Sequence, residues 1–510
     1  MAADFSTPYL RHVLCEEFST PSTPTRTISS GPKDIYPAPL TPRNIRARII
    51  RVKDVRIVCV RIAFYPATRS YTSDDMTMND HEKQTHGAQF SNTNTDDDSH
   101  SQTPSPNSTN LGPPPDGGFT AWLHVLLMHL VFFNSWGFAN SFGIFQQYYT
   151  VSLSQSSSSI AWIGSVQVFL LLFVGVIGGR ASDAGHFHLV FRIGVFLQLL
   201  GVFMTSLCRT YWQVFLAHGV CVGLGNGLTF CPALSVLSTY FERNRTFAVG
   251  IAAAGGASGG LVYPAAVHVL LGEVGFAWTL RIVGFIMLAA HVPSILLFKP
   301  RLPPYTAGAF VEWTAFKESA YTFFTMGMFL SFWGLYFAFF YLGTFARDRL
   351  GATTETSVNL LMILNGIGIA GRIIPNLIGD RVTGPFNIVT PFSFAACLLI
   401  YCWAAVDSIH GMYAFAIIYG FIAAALQALF PATATTLTTD PEKTGVRLGM
   451  ILSVVGFACL TGPPISGALI QAGGGSYLYA QIFAGTSIAL SVLCLAASRV
   501  SKAGWGWVKI

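Results

Sequence analysis

The chain predicts an all-α membrane protein: twelve transmembrane helices in two six-helix halves, behind a disordered N-terminal tail. Three observations carry that expectation. Of 510 residues, 52% are hydrophobic and only 11% charged, with a mean hydropathy of +0.51, against about 25% charged in an ordinary soluble domain. So long an apolar chain exceeds what one core can hide from water and must be embedded in lipid. Charge is also unevenly spread: residues 117–179 are 63 in a row without Asp, Glu, Lys or Arg, and 448–498 are another 51. Each run holds two spans of about 20 residues and a loop. Finally, three unrelated landmarks recur at a nearly constant offset, which indicates an internal duplication.

Residues 1–115 are rich in Ser, Thr, Pro and Asp and balance 12 basic against 12 acidic groups. They cannot bury enough apolar area to offset the entropy of ordering and read as a disordered cytoplasmic tail. Within it, Arg43 to Arg69 carries eight basic residues among Ile and Val. That segment is a membrane-surface patch, a mitochondrial-type targeting element, or a stretch without a role ahead of later starts at Met76 and Met78. No secretory signal precedes the first span, which then serves as the insertion signal.

The twelve spans fall near 120–144, 160–179, 189–207, 212–237, 247–271, 276–298, 321–345, 356–379, 386–406, 411–437, 448–470 and 477–498. The resulting parts are the tail 1–115, a first half 116–298, a cytoplasmic linker 299–320, a second half 321–499 and a short cytoplasmic tail 500–510. The weakest hydropathy lies at 248–271, where Gly255, Gly256, Gly259 and Gly260 instead offer small surfaces for close helix packing. With both termini cytoplasmic, 13 basic residues fall in inner loops and tail and only Arg209, Arg347 and Arg349 outside, while Arg281 and Arg372 lie within spans. That asymmetry is the positive-inside pattern. It also assigns the net charge of +6 to membrane topology rather than to a nucleic-acid surface.

The repeat is visible in Phe230-Cys231-Pro232-Ala233 and Leu429-Phe430-Pro431-Ala432, whose prolines are 199 residues apart. Gly250 and Gly449 are also 199 apart, and Asp183 and Asp380 are 197 apart. Two parallel six-helix repeats are the plan of the major facilitator fold. The loops Gly179-Arg180-Ala181-Ser182-Asp183 and Gly379-Asp380-Arg381 resemble that superfamily's loop signature, which implies a gating role for Arg180, Asp183, Asp380 and Arg381. Ala184 departs from it, standing where the signature usually has Arg.

A narrower resemblance begins at Pro114-Pro115-Asp116-Gly117-Gly118-Phe119-Thr120-Ala121-Trp122 and Asn140-Ser141-Phe142-Gly143. It continues through Gly259-Gly260-Leu261-Val262-Tyr263-Pro264 and Leu460-Thr461-Gly462-Pro463-Pro464. Across 114–500 the chain resembles the fungal branch of the monocarboxylate-porter family. The resemblance implies transport of a small organic solute, and it places a substrate-binding Arg at Arg372. A charge inside a span normally faces a cavity or a partner, and a guanidinium suits bidentate pairing with a carboxylate; the competing reading is a structural Arg reaching toward Asp380. Animal proton-coupled relatives carry an Asp and a Lys where this chain has Gly368 and Asn140. Neither Gly nor Asn titrates, so coupling needs another group or is absent.

Among the remaining polar residues, His129 and His218 are candidate proton carriers, each with a packing alternative. Asn140, Arg281, Tyr336 and Gln427 are candidate solute contacts alongside Arg372, each with an interhelical hydrogen-bond alternative. The nine cysteines form no ligand or disulfide pattern, and no metal or cofactor is expected. No hydrolase elbow, zinc motif or phosphate loop suggests an enzyme. The expected partners are the lipid bilayer and a small, anionic organic solute, with the chain acting as a monomer in the plasma membrane. Export of an organic acid or secondary metabolite competes with uptake of a monocarboxylate or vitamin, and with a sensor built on a transporter fold.

The orientation makes a first prediction. The sequons at Asn107 and Asn244 both fall on the cytoplasmic side, so neither acquires glycan. A glycosidase-sensitive mobility shift that disappears in Asn107→Gln or Asn244→Gln would reverse the topology.

Overall fold

A computed structural model describes residues 50–52, 55–57, 114–303, 311–438, 441–506 and 508–509. Residues 1–103 and 104–510 form separate units. In the first, β1 (Ile50–Val52) and β2 (Val55–Ile57) pair antiparallel with Ile50 opposite Ile57. Alternating Ile and Val suit such short paired strands. The rest of the expected tail up to residue 113, including the Asn107 sequon, lies outside the described residues.

The second unit contains ten helices long and apolar enough to cross a membrane among its described residues. Two of them, Ser157–Thr205 with 49 residues and Arg245–Leu297 with 53, would reach about 75–80 Å, against a hydrocarbon core of about 30 Å. Both are broken by glycines in the left-handed region, Gly185 at φ +92° and Gly275 at φ +71°, a conformation other residues rarely adopt. Twelve spans result: α1 (Gly118–Ser152), α2 (Ser157–Ala181), α3 (Phe187–Thr205), α4 (Tyr211–Ser238), α5 (245–274), α6 (276–297), α7 (Ser319–Leu350), α8 (Thr354–Ile378), α9 (Pro385–Trp403), α10 (Ile409–Thr436), α11 (Pro441–Ala472) and α12 (Leu478–Ala503). The glycine-rich segment is helical throughout, and exposed Leu189, Phe196, Leu296 and Leu493 suit an apolar surround.

Each half closes on itself, and the halves meet along α2–α11, α5–α8 and α1–α7. Glycine sets these distances. A Cβ on Gly259 would strike the Phe133 carbonyl, and one on Gly137 would lie 2.6 Å from Gly259 Cα, so α1 and α5 are in backbone contact. The repeat is equally visible between the halves. A Cβ on Gly250 of α5 would lie 2.9 Å from the Arg372 carbonyl of α8, and one on its repeat partner Gly449 of α11 would lie 2.8 Å from Val176 of α2.

A buried polar brace stiffens the first half. Tyr263 donates to Asn134 at 2.7 Å, Asn134 donates to the Met287 carbonyl at 3.0 Å, and Gln198 donates to the Asn134 carbonyl at 3.0 Å. His291 Nε2 lies 2.7 Å from Gln198 Oε1, completing a link between α1, α3, α5 and α6.

The two ends of the bundle differ. At the end carrying the 299–320 linker, called here the basic end, a cavity of about 680 Å³ opens between the halves, with Arg180, Asp183, Arg245 and Arg301 at its mouth. The opposite end is sealed. There, across the halves, Phe142 meets Phe340 with ring centroids 5.1 Å apart and Ser158 donates to the Pro464 carbonyl at 2.8 Å, while within the second half Tyr341 donates to the Pro463 carbonyl at 3.0 Å. At the basic end the linker is tied to α11. Arg447 grips Glu312 (Nε to Oε2, 2.9 Å) and Glu318 (Nη2 to Oε1, 2.6 Å), and Tyr321 donates to the Arg447 carbonyl at 2.8 Å.

Two outcomes are expected. The Arg447 guanidinium pulls the Glu312 carboxyl from 4.5 down to about 2. A depressed folded-state value contributes stability above the unfolded value that is lost as pH falls through the folded one. The melting temperature of the detergent-solubilised protein should therefore carry a Glu312-dependent fall between about pH 4.5 and about pH 2, and Arg447→Gln should remove that component; an unchanged profile would contradict the linkage. At the sealed end, a side chain on Gly467 would strike the Tyr341 hydroxyl and lie 2.8 Å from Ser158 Cα. Gly467→Ala should weaken the seal by about 1–3 kcal/mol and lengthen the distance between spin labels at Val151 and Arg349. Gly272→Ala, whose Cβ meets nothing within 4 Å, should leave it unchanged.

Candidate functional site

At its deep end the cavity shares Leu234, Val249, Pro431 and Leu452 with a tighter chamber of about 30 Å³. Phe132, Trp136 and Phe230 wall it from the first half, and Phe332, Phe430, Arg372 and Gln427 from the second. The rings interlock: Phe132 and Trp136 lie 5.0 and 5.8 Å from Phe230, and Phe332 lies 5.3 Å from Phe430. Trp136 sits in a π-helical turn of α1, Phe133–Gly137, an irregularity that re-aims side chains and recurs at functional sites.

Arg372 is the centre of this chamber. Small neighbours bring it there: a Cβ on Gly371 would strike the Phe421 carbonyl, so α8 lies flush against α10. Gly368, one turn earlier, leaves the guanidinium its room; a Cβ there would lie 2.9 Å from Arg372 Nη1 and 3.1 Å from Ala424. Arg372 is 3% exposed. It donates to Gln427 Oε1 at 2.6 Å and to the Gly368 carbonyl at 3.4 Å, and Tyr336 is near enough to interact with its charge. Among the described residues no carboxylate pairs with it. The cation is anchored by neutral oxygens and faces an apolar chamber, a setting that favours an anion.

The other candidates scatter. Gln427 and Tyr336 join Arg372, and the Gln427 amide nitrogen and the Tyr336 hydroxyl have no protein partner. Asn140 is buried one turn beyond Trp136, with neither amide atom partnered. Arg281 is not brought to the chamber; its guanidinium lies over Trp278, 4.9 Å from the ring centre. His129 bridges α1 to α5, with its nitrogens 3.0 Å from the Ile251 carbonyl and 3.0 Å from the Ser258 hydroxyl, the packing alternative. His218 is boxed by Phe138, Phe142 and Phe145, with Nδ1 3.0 Å from the Tyr149 hydroxyl, again outside the chamber wall.

The loop residues hold the basic end. Asp380 accepts the Phe247 backbone N–H at 2.7 Å, so the second half's loop caps the first turn of α5 in the first half. Asp183 and Arg180 line the cavity mouth, with Ser235 3.5 Å from the Asp183 carboxylate. Lys509 donates to the carbonyls of Asp380 and Arg381 at 2.8 and 3.2 Å, fixing the C-terminal tail to the same loop. Asp116, which the sequence shows only as part of a motif, fastens the turn between α4 and α5, where its carboxylate accepts backbone N–H groups of Glu242 and Arg243 at 2.7 and 2.9 Å. Residues missed from the sequence include Trp136, Gln167 and Asn226, whose polar side-chain atoms are buried without a protein partner. Their isolation among apolar neighbours in charge-free spans was the available signal.

Comparison with known proteins agrees with this architecture. A model of the Major Facilitator Superfamily matches residues 127–444. An MFS-type transporter of Gibberella zeae is 45% identical over 396 residues, which cover 77% of this chain and 90% of that protein. The aspyridones efflux protein apdF of Emericella nidulans is 36% identical over 405 residues, covering 79% of this chain and 82% of that protein. A solved structure of the nucleoside transporter NupG superposes with a TM-score of 0.55 at 18% identity, covering 74% of this chain and 99% of that one, a likeness of fold alone. With the helix plan, the paired halves and the central cavity in agreement, the chain belongs to the major facilitator superfamily of membrane transporters.

Proposed function

We propose that this transporter exports an anionic organic solute of the secondary-metabolite type across the plasma membrane, as a monomer with both termini in the cytoplasm. One observation carries the charge of the solute: Arg372, 3% exposed, lines the chamber with no carboxylate partner among the described residues. Burying a cation in an apolar span is costly, and an arriving carboxylate or enolate offsets that cost through paired charge-assisted hydrogen bonds. The direction is supported by the similarity to the aspyridones efflux protein and by the cavity opening at the basic end, the cytoplasmic one by the positive-inside pattern.

Solute is drawn toward a mouth bearing Arg180, Arg245 and Arg301, where the local field raises the concentration of anions. It then reaches Arg372, held in place by Gln427 and attended by Tyr336. Neutralising Arg372 lowers the cost of closing the basic end around it, and the halves rock so that the Phe142–Phe340 seal opens. Arg180, Asp183, Asp380 and Arg381 are the gating elements that exchange partners in that motion. The carboxylate preference is the part of the monocarboxylate-porter resemblance that this site retains; the proton-carrying acid at Gly368 is the part it lacks.

The test is flux of labelled carboxylates and larger organic metabolites in proteoliposomes, with and without a pH gradient. Arg372→Ala should reduce flux of anionic solutes by about 30-fold or more, the loss expected on removing one partner of a buried charge pair. Gly368→Asp should also block it, because the new carboxylate reaches Nη1 and occupies the anion position, whereas Gly368→Asn should be milder. Flux of a neutral solute that survives Arg372→Ala would make Arg372 structural. Net inward transport of a small monocarboxylate would favour nutrient uptake instead.

A further inference from the structure

Beyond the Arg372 chamber, three side-chain amides, Asn140 of α1, Gln167 of α2 and Asn226 of α4, are buried with no protein partner for either the oxygen or the nitrogen of any of them. The helices place them on one level. Trp136 and Phe230, both in the chamber wall, meet at 5.8 Å between ring centroids. Asn140 lies one turn after Trp136 on α1, and Asn226 one turn before Phe230 on α4. Because α1 and α4 run in opposite directions, both steps lead away from the basic end and keep to the same helix faces. Gly143, three residues beyond Asn140, would carry its Cβ 2.7 Å from the Phe339 carbonyl, so this face of α1 is turned to the opposite half. A Cβ on Gly223, three residues before Asn226, would lie 3.0 Å from the Gln167 Cα, so α2 and α4 are close-packed there and the third amide is brought alongside.

A buried amide without partners is destabilising, and native proteins keep few of them. Three together, two of them one helical turn from residues of the chamber wall, point to groups carried by the solute. We propose that Asn140, Asn226 and Gln167 form a second pole of the site, which takes hydroxyl or carbonyl groups on a planar aromatic body whose acidic group is held by Arg372. The inference rests on the reading of Arg372 as the anion site and names the solute class: an aromatic hydroxy- or keto-acid with hydrogen-bonding groups remote from the acid. Between the poles the wall is aromatic, Trp136 and Phe230 from the first half and Phe332 and Phe430 from the second, which suits a flat apolar body once the halves part enough to admit it. Amides suit the far pole because each donates and accepts, so a phenolic hydroxyl can give its proton to one and receive one from another. A small aliphatic acid reaches Arg372 and leaves the amides unpaired.

The experiment measures binding of 2-naphthoate, 6-hydroxy-2-naphthoate and the methyl ester of the latter to the full chain in nanodiscs, by quenching of tryptophan fluorescence. Wild type should bind the hydroxy acid roughly tenfold more tightly than 2-naphthoate, since a site with unpaired polar groups discriminates against the analogue lacking the hydroxyl. In Asn140→Leu and Asn226→Leu, made separately and checked for fold by thermal unfolding, the ratio of the two affinities should fall to roughly twofold or less. The ratio is the readout because a merely structural role would weaken both acids together. No preference in wild type, a preference that survives in both variants, or failure of both acids to bind would overturn the proposal. The ester isolates the other reading: if it binds as tightly as the hydroxy acid while the hydroxyl preference persists, the anion site at Arg372 fails and the amide pole stands.

Discussion

A guanidinium held in the middle of a membrane protein without a carboxylate beside it is the constraint around which the central site is arranged. Arg372 costs free energy to bury, and its neighbours reduce that cost only in part: Gln427 and the Gly368 carbonyl supply neutral oxygens at 2.6 and 3.4 Å. A fixed acid in their place would satisfy the cation permanently and remove any reason for an anion to enter. Gly368 is therefore informative as an absence of side chain. It leaves the guanidinium its room, since a Cβ there would lie 2.9 Å from Nη1, and withholds the internal counter-ion that one carboxylate at that position would provide.

Glycine also sets how closely the halves approach. Gly250 and Gly449 occupy matching places in the repeat and touch the opposite half at α8 and α2. Gly143 and Gly467 do the same at the sealed end. At each of these contacts one partner is a glycine with no side chain to disentangle, so one half can pivot on the other with little repacking of an interdigitated core. The brace of Tyr263, Asn134, Gln198 and His291 has the complementary effect, because four side chains hydrogen-bonded in series inside one half resist shear there. Motion is thereby directed to the seams between the halves.

The helix plan was legible in the sequence because lipid makes it so: long charge-free runs, basic loops on alternate sides and a 199-residue repeat are consequences of the bilayer and of duplication. The glycine-rich 248–271 segment, weakest by hydropathy, is helical because its glycines allow close approach to α1. Arg372 was legible as a lone charge in a span, and its partner Gln427 as one of several polar residues within the spans. What escaped was pairing. That His129 would be spent on Ser258 and Ile251, that Arg281 would lie over Trp278, and that Asp116 would hold the α4–α5 turn depends on tertiary register, which one sequence does not display.

The asymmetry of the two halves follows from the same physics. The halves descend from one repeat, yet the second supplies the cation and the first supplies only neutral groups to the shared chamber. Two cations facing each other across so small a space would repel and hold the halves apart, and a cation facing a fixed anion would lock them together. One charge opposite neutral aromatic rings leaves the attraction between the halves weak until the anionic solute proposed above bridges them. A binding energy realised only when both halves touch the solute is what a rocking transporter requires, since the occupied protein then closes more readily than the empty one. The placement of Arg372 on α8, beside Gly256 of α5 and within reach of Trp136 of α1, puts that single charge at the seam where such bridging has its effect.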